Sequence, residues 1–158
     1  MIIRKIKPAD NISMAEIVKT VIVEMGAPKV GTAFEDVSLN DLHSTYDKKD
    51  AVYFVLESDE KIVGGAGIAR LENEGDAYCE LQKMYFLNEV RGKGYGMKMM
   101  QTCLNEAKEM GYKFCYIETM PYMEDAQKLY KKAGFEYLDA PMGNTGHYSC
   151  SVWMLKKL

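Results

Sequence analysis

Three glycines in five residues lie within Val90-Arg91-Gly92-Lys93-Gly94-Tyr95-Gly96, where the hydrophobic period changes from two to about 3.6. Before the run, Ala77–Leu87 alternates as a strand. After it, from Gly96, Met99/Met100, Cys103/Leu104, Ala107 and Met110 recur at helical spacing, and Gly111 is a C-terminal stop. A glycine-rich passage from strand to helix lets the backbone turn tightly and approach a ligand closely. The helix start adds unsatisfied N–H groups and a partial positive charge to the same space. That combination holds phosphate, and Arg91 and Lys93 can add side-chain charge. The third glycine comes one residue early for a dinucleotide fingerprint, and Gly92-Lys93 is followed by Gly94 where a P-loop needs Ser or Thr. Taken alone, the run is also compatible with a glycine-rich turn that holds nothing.

The rest of the chain supplies strands first. Ile2–Ile6 reads as a strand ended by Pro8, and about Ile12–Met25 as a helix with Ile17, Val18, Val21 and Ile22 on one face, stopped by Gly26 and Pro28. A shorter helix is expected over Leu39–Asp47. Ala51–Glu57 and Lys61–Leu71 read as an antiparallel pair across Ser58-Asp59-Glu60. Phe114–Glu118 is a short strand, and Met123–Ala133 an amphipathic helix with Met123, Ala126, Leu129, Tyr130 and Ala133 on one face, closed by Gly134. Phe135–Leu138 and His147–Leu155 are expected as a terminal hairpin. A strand meander followed by strand–helix–strand–helix and a hairpin implies an α+β fold, a mixed sheet of about seven strands with flanking helices.

With 158 residues, one domain over 1–158 is expected, with enough core to fold without staples. Hydrophobic residues at 47% and charged residues at 27% exclude disorder. The longest aliphatic stretch, Val21-Ile22-Val23, is far short of a bilayer span, and no leader opens the chain, so a soluble cytoplasmic protein with no membrane partner is expected. Cys79, Cys103, Cys115 and Cys150 are spaced 24, 12 and 35 apart, with no CxxC pair and only His43 and His147 to join them. Free thiols and no metal are the expectation. Neither histidine sits in a nucleophile motif. The net charge of −3 is uneven: residues 31–60 hold eight Asp/Glu against two Lys, while 83–98 hold Lys83, Arg91, Lys93 and Lys98 against Glu89. That division suits a cationic substrate and an anionic cofactor, or ordinary solvated charge. No long basic stripe or aromatic platform suggests nucleic acid.

Arg91-Gly92-Lys93-Gly94-Tyr95-Gly96 matches the R/Q-x-x-G-x-G/A loop of the GNAT superfamily of acetyl-CoA-dependent N-acetyltransferases, which the chain resembles. Glu80-Leu81-Gln82-Lys83-Met84-Tyr85-Phe86-Leu87 looks like that family's fourth strand. Ala126-Gln127-Lys128-Leu129-Tyr130 through Gly134-Phe135 resembles its A-x-x-L-Y-x-x-x-G-F segment. The pieces cover roughly 79–135 and imply the GNAT acyl-CoA N-acyltransferase fold.

The resemblance implies that amides from Arg91 through Gly92, Lys93, Gly94, Tyr95 and Gly96 to Met97 hold the pyrophosphate of acetyl-CoA. It implies that Met84, Tyr85 and Phe86 pair with the pantetheine arm where the fourth and fifth strands splay. An amide near Met84 would face the thioester carbonyl as an oxyanion donor, and an amine would attack directly without an acyl-enzyme. Because an amine of pKa near 10.4 is mostly protonated at neutral pH, a base is needed. Glu80 and Glu118 occupy positions where members carry it, and each is also readable as a structural hydrogen-bond acceptor. Glu80 lies about 13 Å along an extended strand from Met84, a distance that calls for a water relay. Tyr130 matches the family's general acid for the departing thiolate, or is a core tyrosine. Many members carry Asn seven residues before this tyrosine, where this chain has Met123. The implied partners are acetyl-CoA and an amine of a small molecule or protein, with a homodimer left open. A non-catalytic CoA-binding sensor or interaction module is the alternative function.

Overall fold

A computed structural model describes all of residues 1–158. One seven-stranded mixed sheet organises the chain, in the order β1-β2-β3-β4-β5-β7-β6. The strands are β1 (Ile2–Lys5), β2 (Val52–Ser58), β3 (Lys61–Arg70), β4 (Tyr78–Phe86), β5 (Phe114–Thr119), β6 (Glu136–Leu138) and β7 (Val152–Lys157). Neighbours are antiparallel except β4 and β5, which run parallel because α3 (Tyr95–Glu109) returns the chain between them. The other helices are α1 (Asn11–Glu24), α2 (Leu42–Tyr46) and α4 (Glu124–Lys132). No helix is long and apolar enough to cross a membrane.

Alternation along β2 divides the core between the two faces of the sheet. Val52, Phe54 and Leu56 pack with Met99, Met100, Cys103 and Leu104 of α3 and Tyr130 of α4. Ala51, Tyr53 and Val55 point the other way, onto Met14, Ile17, Val18, Val21 and Ile22 of α1 and Leu42 and Tyr46 of α2. Because Leu56 is fully buried in the first layer, Leu56→Ala should lower unfolding stability in urea by about 2–5 kcal/mol.

On the α1/α2 face, β3 contributes glycine where β2 contributes a tyrosine ring. A Cβ at Gly67 would sit 2.6 Å from the Tyr53 ring and 2.7 Å from that of Tyr46. Their ring centroids are 5.1 Å apart. Only a residue without a side chain lets both rings lie across the sheet, and their hydroxyls then reach β4: Tyr46 donates to Gln82 Oε1 (2.6 Å) and Tyr53 to the Lys83 carbonyl (2.7 Å).

Two boundaries differ from those the sequence pattern suggests. The helix expected over Leu39–Asp47 is a 3-10 turn, Val37–Asn40, followed by the short α2. Asp41 separates the two as an N-cap that accepts from the Ser44 N–H. The strand expected from His147 starts only at Val152. Residues 142–150 bond elsewhere: Asn144 N–H to the Glu72 carbonyl, Gly143 N–H to the Glu74 carboxylate and Ser149 N–H to the Gly31 carbonyl. This segment is a strap across one end of the sheet, and His147 belongs to the strap.

Candidate active site

Gly92 and Gly94 adopt φ of +72° and +83°, values that side-chain-bearing residues resist, and a Cβ built at either would meet nothing within 4 Å. Glycine is required there by backbone conformation, not by crowding, and the space over the loop is open. Gly94 caps α3, whose first amides, at Tyr95, Gly96 and Met97, precede the helix's own bonding. Gly96 serves closeness instead: a Cβ there would lie 3.1 Å from Leu129 of α4. Arg91 departs from the sequence expectation that its charge adds to the loop. Its Nε donates to the Phe86 carbonyl (2.8 Å) and its guanidinium pairs with Glu24 at the end of α1 (2.7 Å), tying the loop to β4 and α1. Lys93 is exposed on the loop.

β4 and β5 pair only at Tyr78–Phe114, Cys79–Cys115 and Glu80–Tyr116. Beyond that point β5 bonds to β7 alone, and the edge of β4 from Gln82 to Phe86 has no strand partner on that side. A bulge in the β3–β4 ladder falls in the same place. Gly67 pairs with Gln82 and Gly65 with Tyr85, so Lys83 and Met84 together oppose Ala66, and Lys83 takes φ of +49°. The bulge falls just beyond the point where β4 stops pairing with β5, and the β4 edge at Met84, Tyr85 and Phe86 is left without a strand partner on that side. Tyr130 of α4 is buried beside Phe135, its hydroxyl has no hydrogen-bond partner in the chain, and the Cys150 thiol is close enough to raise its pKa further above the value burial imposes.

A group of charged side chains gathers where the pairing ends. Glu80 and Glu118 come from β4 and β5, and with His147 of the strap they bring a donor atom each within 4.8 Å of one another. Glu80 is 95% buried, and Gln82 Nε2 donates to its Oε2 (2.5 Å). Burial, opposed by that bond and reinforced by the Glu118 charge, pushes the Glu80 pKa up from 4.5 to about 7. Glu118 is occupied at both oxygens: Tyr116 donates to Oε1 (2.8 Å) and Thr145 to Oε2 (2.7 Å). Asp36, from the loop after α1, accepts from Lys83 Nζ (2.6 Å) and lies 2.9 Å from His147 Nε2. Burial would pull His147 down, but its contact with Asp36 outweighs this and leaves it raised; burial likewise opposes Asp36, which the His147 and Lys83 partners hold below its ordinary value. A cavity of about 660 Å³ leads outward from Glu80, Gln82 and Thr145, past Tyr46, to Glu72 and Glu74.

The structure therefore brings Glu80 and Glu118 together, while Tyr130 lies in the core layer of α3 and α4. Asp36 and Tyr46 have no motif that could have marked them, and Gln82 and Lys83 lie in the fourth-strand stretch without being singled out there. His147 falls in a segment that the sequence reading assigns to a hairpin. The one available signal was charge: the acidic stretch 31–60 contains Asp36, and the basic stretch contains Lys83.

Comparison with known proteins bears on the family and the fold. Residues 24–135 match the Acetyltransferase (GNAT) family. The chain is 39% identical over 158 residues, 99% of its length and 95% of the relative's, to "Uncharacterized N-acetyltransferase YjgM" of Escherichia coli (strain K12). Among solved structures, an acetyltransferase of the GNAT family from Staphylococcus aureus Mu50 superposes with a TM-score of 0.86 at 19% identity, covering 99% of this chain and 98% of that one. The yncA protein of Salmonella typhimurium, a putative acetyltransferase solved with its cofactor acetyl-CoA, superposes with a TM-score of 0.80 at 17% identity, covering 99% and 93%. With its family matched across 112 of 158 residues and its fold shared along the whole chain, the protein belongs to the GNAT family of acetyl-CoA-dependent N-acetyltransferases.

Proposed function

We propose that the chain transfers acetyl from acetyl-CoA to the amine of a cationic acceptor, by direct attack and with Glu80 as general base. The observation that carries this reading is a 95%-buried carboxyl, poised at about 7, at the point where β4 and β5 part. A base with pKa near the operating pH combines a useful anionic fraction with enough basicity to accept an ammonium proton through water.

The residues around it fit the partners. The open loop and the α3 amides from Arg91 to Met97 suit a pyrophosphate, and the unpaired edge at Met84, Tyr85 and Phe86 suits an extended pantetheine arm. The Met84 amide, turned by the bulge, is the donor for charge developing on the thioester oxygen. Tyr130, buried and protonated across the working pH range, gives its proton to the departing sulfur. Glu118 holds the strap and attracts the ammonium, since both its oxygens already accept hydrogen bonds. Asp36, Glu80 and Glu118 oppose Lys83 and a protonated His147, so the site carries one uncompensated negative charge when Glu80 is ionised. An acceptor ammonium supplies the missing positive charge, and Glu72 and Glu74 extend the same preference along the cavity.

Incubation with acetyl-CoA and a panel of amines should release free thiol, fastest with amines carrying no carboxylate. Gly94→Val should raise the KM for acetyl-CoA by roughly tenfold or more with a smaller effect on the KM for the amine, because φ of +83° costs a β-branched residue about 1–3 kcal/mol. Tight acetyl-CoA binding with no transfer to any amine would overturn the proposal in favour of a CoA sensor.

A further inference from the structure

We propose that Glu80, Glu118 and His147 form a binding site for a divalent transition-metal ion such as Zn²⁺, placed where the acceptor ammonium goes. Two carboxylates and one imidazole are a donor set suited to Zn²⁺, and here they come from β4, β5 and the strap with their donor atoms within 4.8 Å of one another. Donors around Zn²⁺ at about 2.1 Å stand roughly 3.4 Å apart. Closing the difference takes small torsions of Glu118 and His147, both of which are partly exposed.

Two further features separate this cluster from a chance gathering of acids. Glu80 is 95% buried, its Oε2 accepts from Gln82, and one of its carboxylate oxygens lies within 4.8 Å of donor atoms of Glu118 and His147. Each donor residue also has an outer partner that orients it. Gln82 holds Glu80, the Tyr116 and Thr145 hydroxyls hold Glu118, and Asp36 holds His147 through Nε2, leaving Nδ1 to ligate. An imidazole whose second nitrogen is held by a carboxylate is the usual arrangement around a protein-bound metal. Charge agrees as well. With His147 neutral, Asp36, Glu80 and Glu118 exceed Lys83 by two negative charges, which one divalent ion cancels. Cys150 lies near Glu80 and Glu118, so the test has to tell a sulfur-ligated ion from an oxygen- and nitrogen-ligated one.

The ion's binding does not depend on the proposed reaction; its competition with the amine does. The test is titration of the untagged, chelator-stripped chain with Zn²⁺ against a chromophoric chelator, together with the visible spectrum of the Co²⁺ form. About one equivalent should bind. Affinity should fall at least tenfold in Glu118→Gln and His147→Gln, fall by a comparable factor in Asp36→Asn, and stay unchanged in His43→Gln. Circular dichroism on each variant separates lost ligation from lost fold, and the wild-type Co²⁺ spectrum is informative whether or not the variants fold. Bands of an oxygen- and nitrogen-ligated ion support the site. No binding, full retention in His147→Gln, or a sulfur charge-transfer band that places the ion on a cysteine would each overturn it. In the transferase assay, Zn²⁺ should raise the apparent KM for the amine and leave kcat unchanged. An inactive chain that still binds the ion through these residues would sink the transferase reading and leave the metal site standing.

Discussion

Glu80→Gln is expected to lower kcat by roughly 10²- to 10⁴-fold while raising the stability of the fold above neutral pH. The two effects share one cause. Burial holds the Glu80 proton up to about pH 7 in the folded chain, whereas an exposed carboxyl releases it near 4.5. Between those values the folded state binds more protons than the unfolded state, so unfolding free energy falls as pH rises through the window. The difference corresponds to on the order of 3 kcal/mol by pH 8. Glutamine keeps the shape and the bond to Gln82, whose amide can turn to suit, and it carries no charge to desolvate. Denaturation of the metal-free variant should therefore match wild type at pH 4 and exceed it at pH 8. In the wild type, kcat should rise with pH through about 7 as Glu80 ionises, and the variant should lose that limb. A structural acceptor would give the opposite pattern: lower stability at every pH and a rate that is low only in proportion to folded protein.

Local chemistry explains which parts of this molecule were readable in advance. The β2–β3 hairpin, α1, α3 and α4 each announce themselves within about fifteen residues, through alternation, helical spacing and terminal glycines. The loop at Gly92–Gly96 is legible for the same reason, since its left-handed turns at Gly92 and Gly94 are set by consecutive residues. The charged group around Glu80, Glu118 and His147 is not local. His147 meets Asp36 across 111 residues, Thr145 meets Glu118 across 27, and Tyr46 reaches Gln82 across 36. None of these contacts leaves a period or a spacing behind.

The strap shows how such reasoning misleads. His147-Tyr148-Ser149-Cys150-Ser151 runs directly into a true strand, so propensity extended β7 backward to include it. Tertiary bonds to Gly31, Glu72 and Glu74 satisfied the backbone first and turned His147 toward Asp36. The spacing argument about metals does not reach the Glu80, Glu118 and His147 group for a related reason. Short-spaced ligand pairs mark sites built on one segment, whereas here three segments contribute one donor residue each.

Tyr130→Phe is expected to lower kcat by about 10²-fold with the KM for acetyl-CoA changed by less than about twofold. The Tyr130 hydroxyl makes no hydrogen bond that the fold depends on. Tyr130 packs in the layer under α3 and α4, its ring tilted 58° to Phe135 at 6.2 Å, yet its oxygen bonds to no group of the protein. Phenylalanine keeps the packing and removes a polar atom that has no partner, so stability should stay within about 0.5 kcal/mol of wild type or rise. Burial raises the tyrosine pKa far above the value at which Glu80 ionises, so the residue stays protonated across the working pH range. Its proton passes to sulfur only as negative charge builds there, and the loss should therefore fall on kcat and on kcat/KM alike. Supplying thioesters whose thiols leave with lower pKa should shrink the defect, because a better leaving group needs less help from an acid. A Tyr130→Phe enzyme that turns over at the wild-type rate with every thioester would make Tyr130 a core residue, and the proton on sulfur would have to come from solvent.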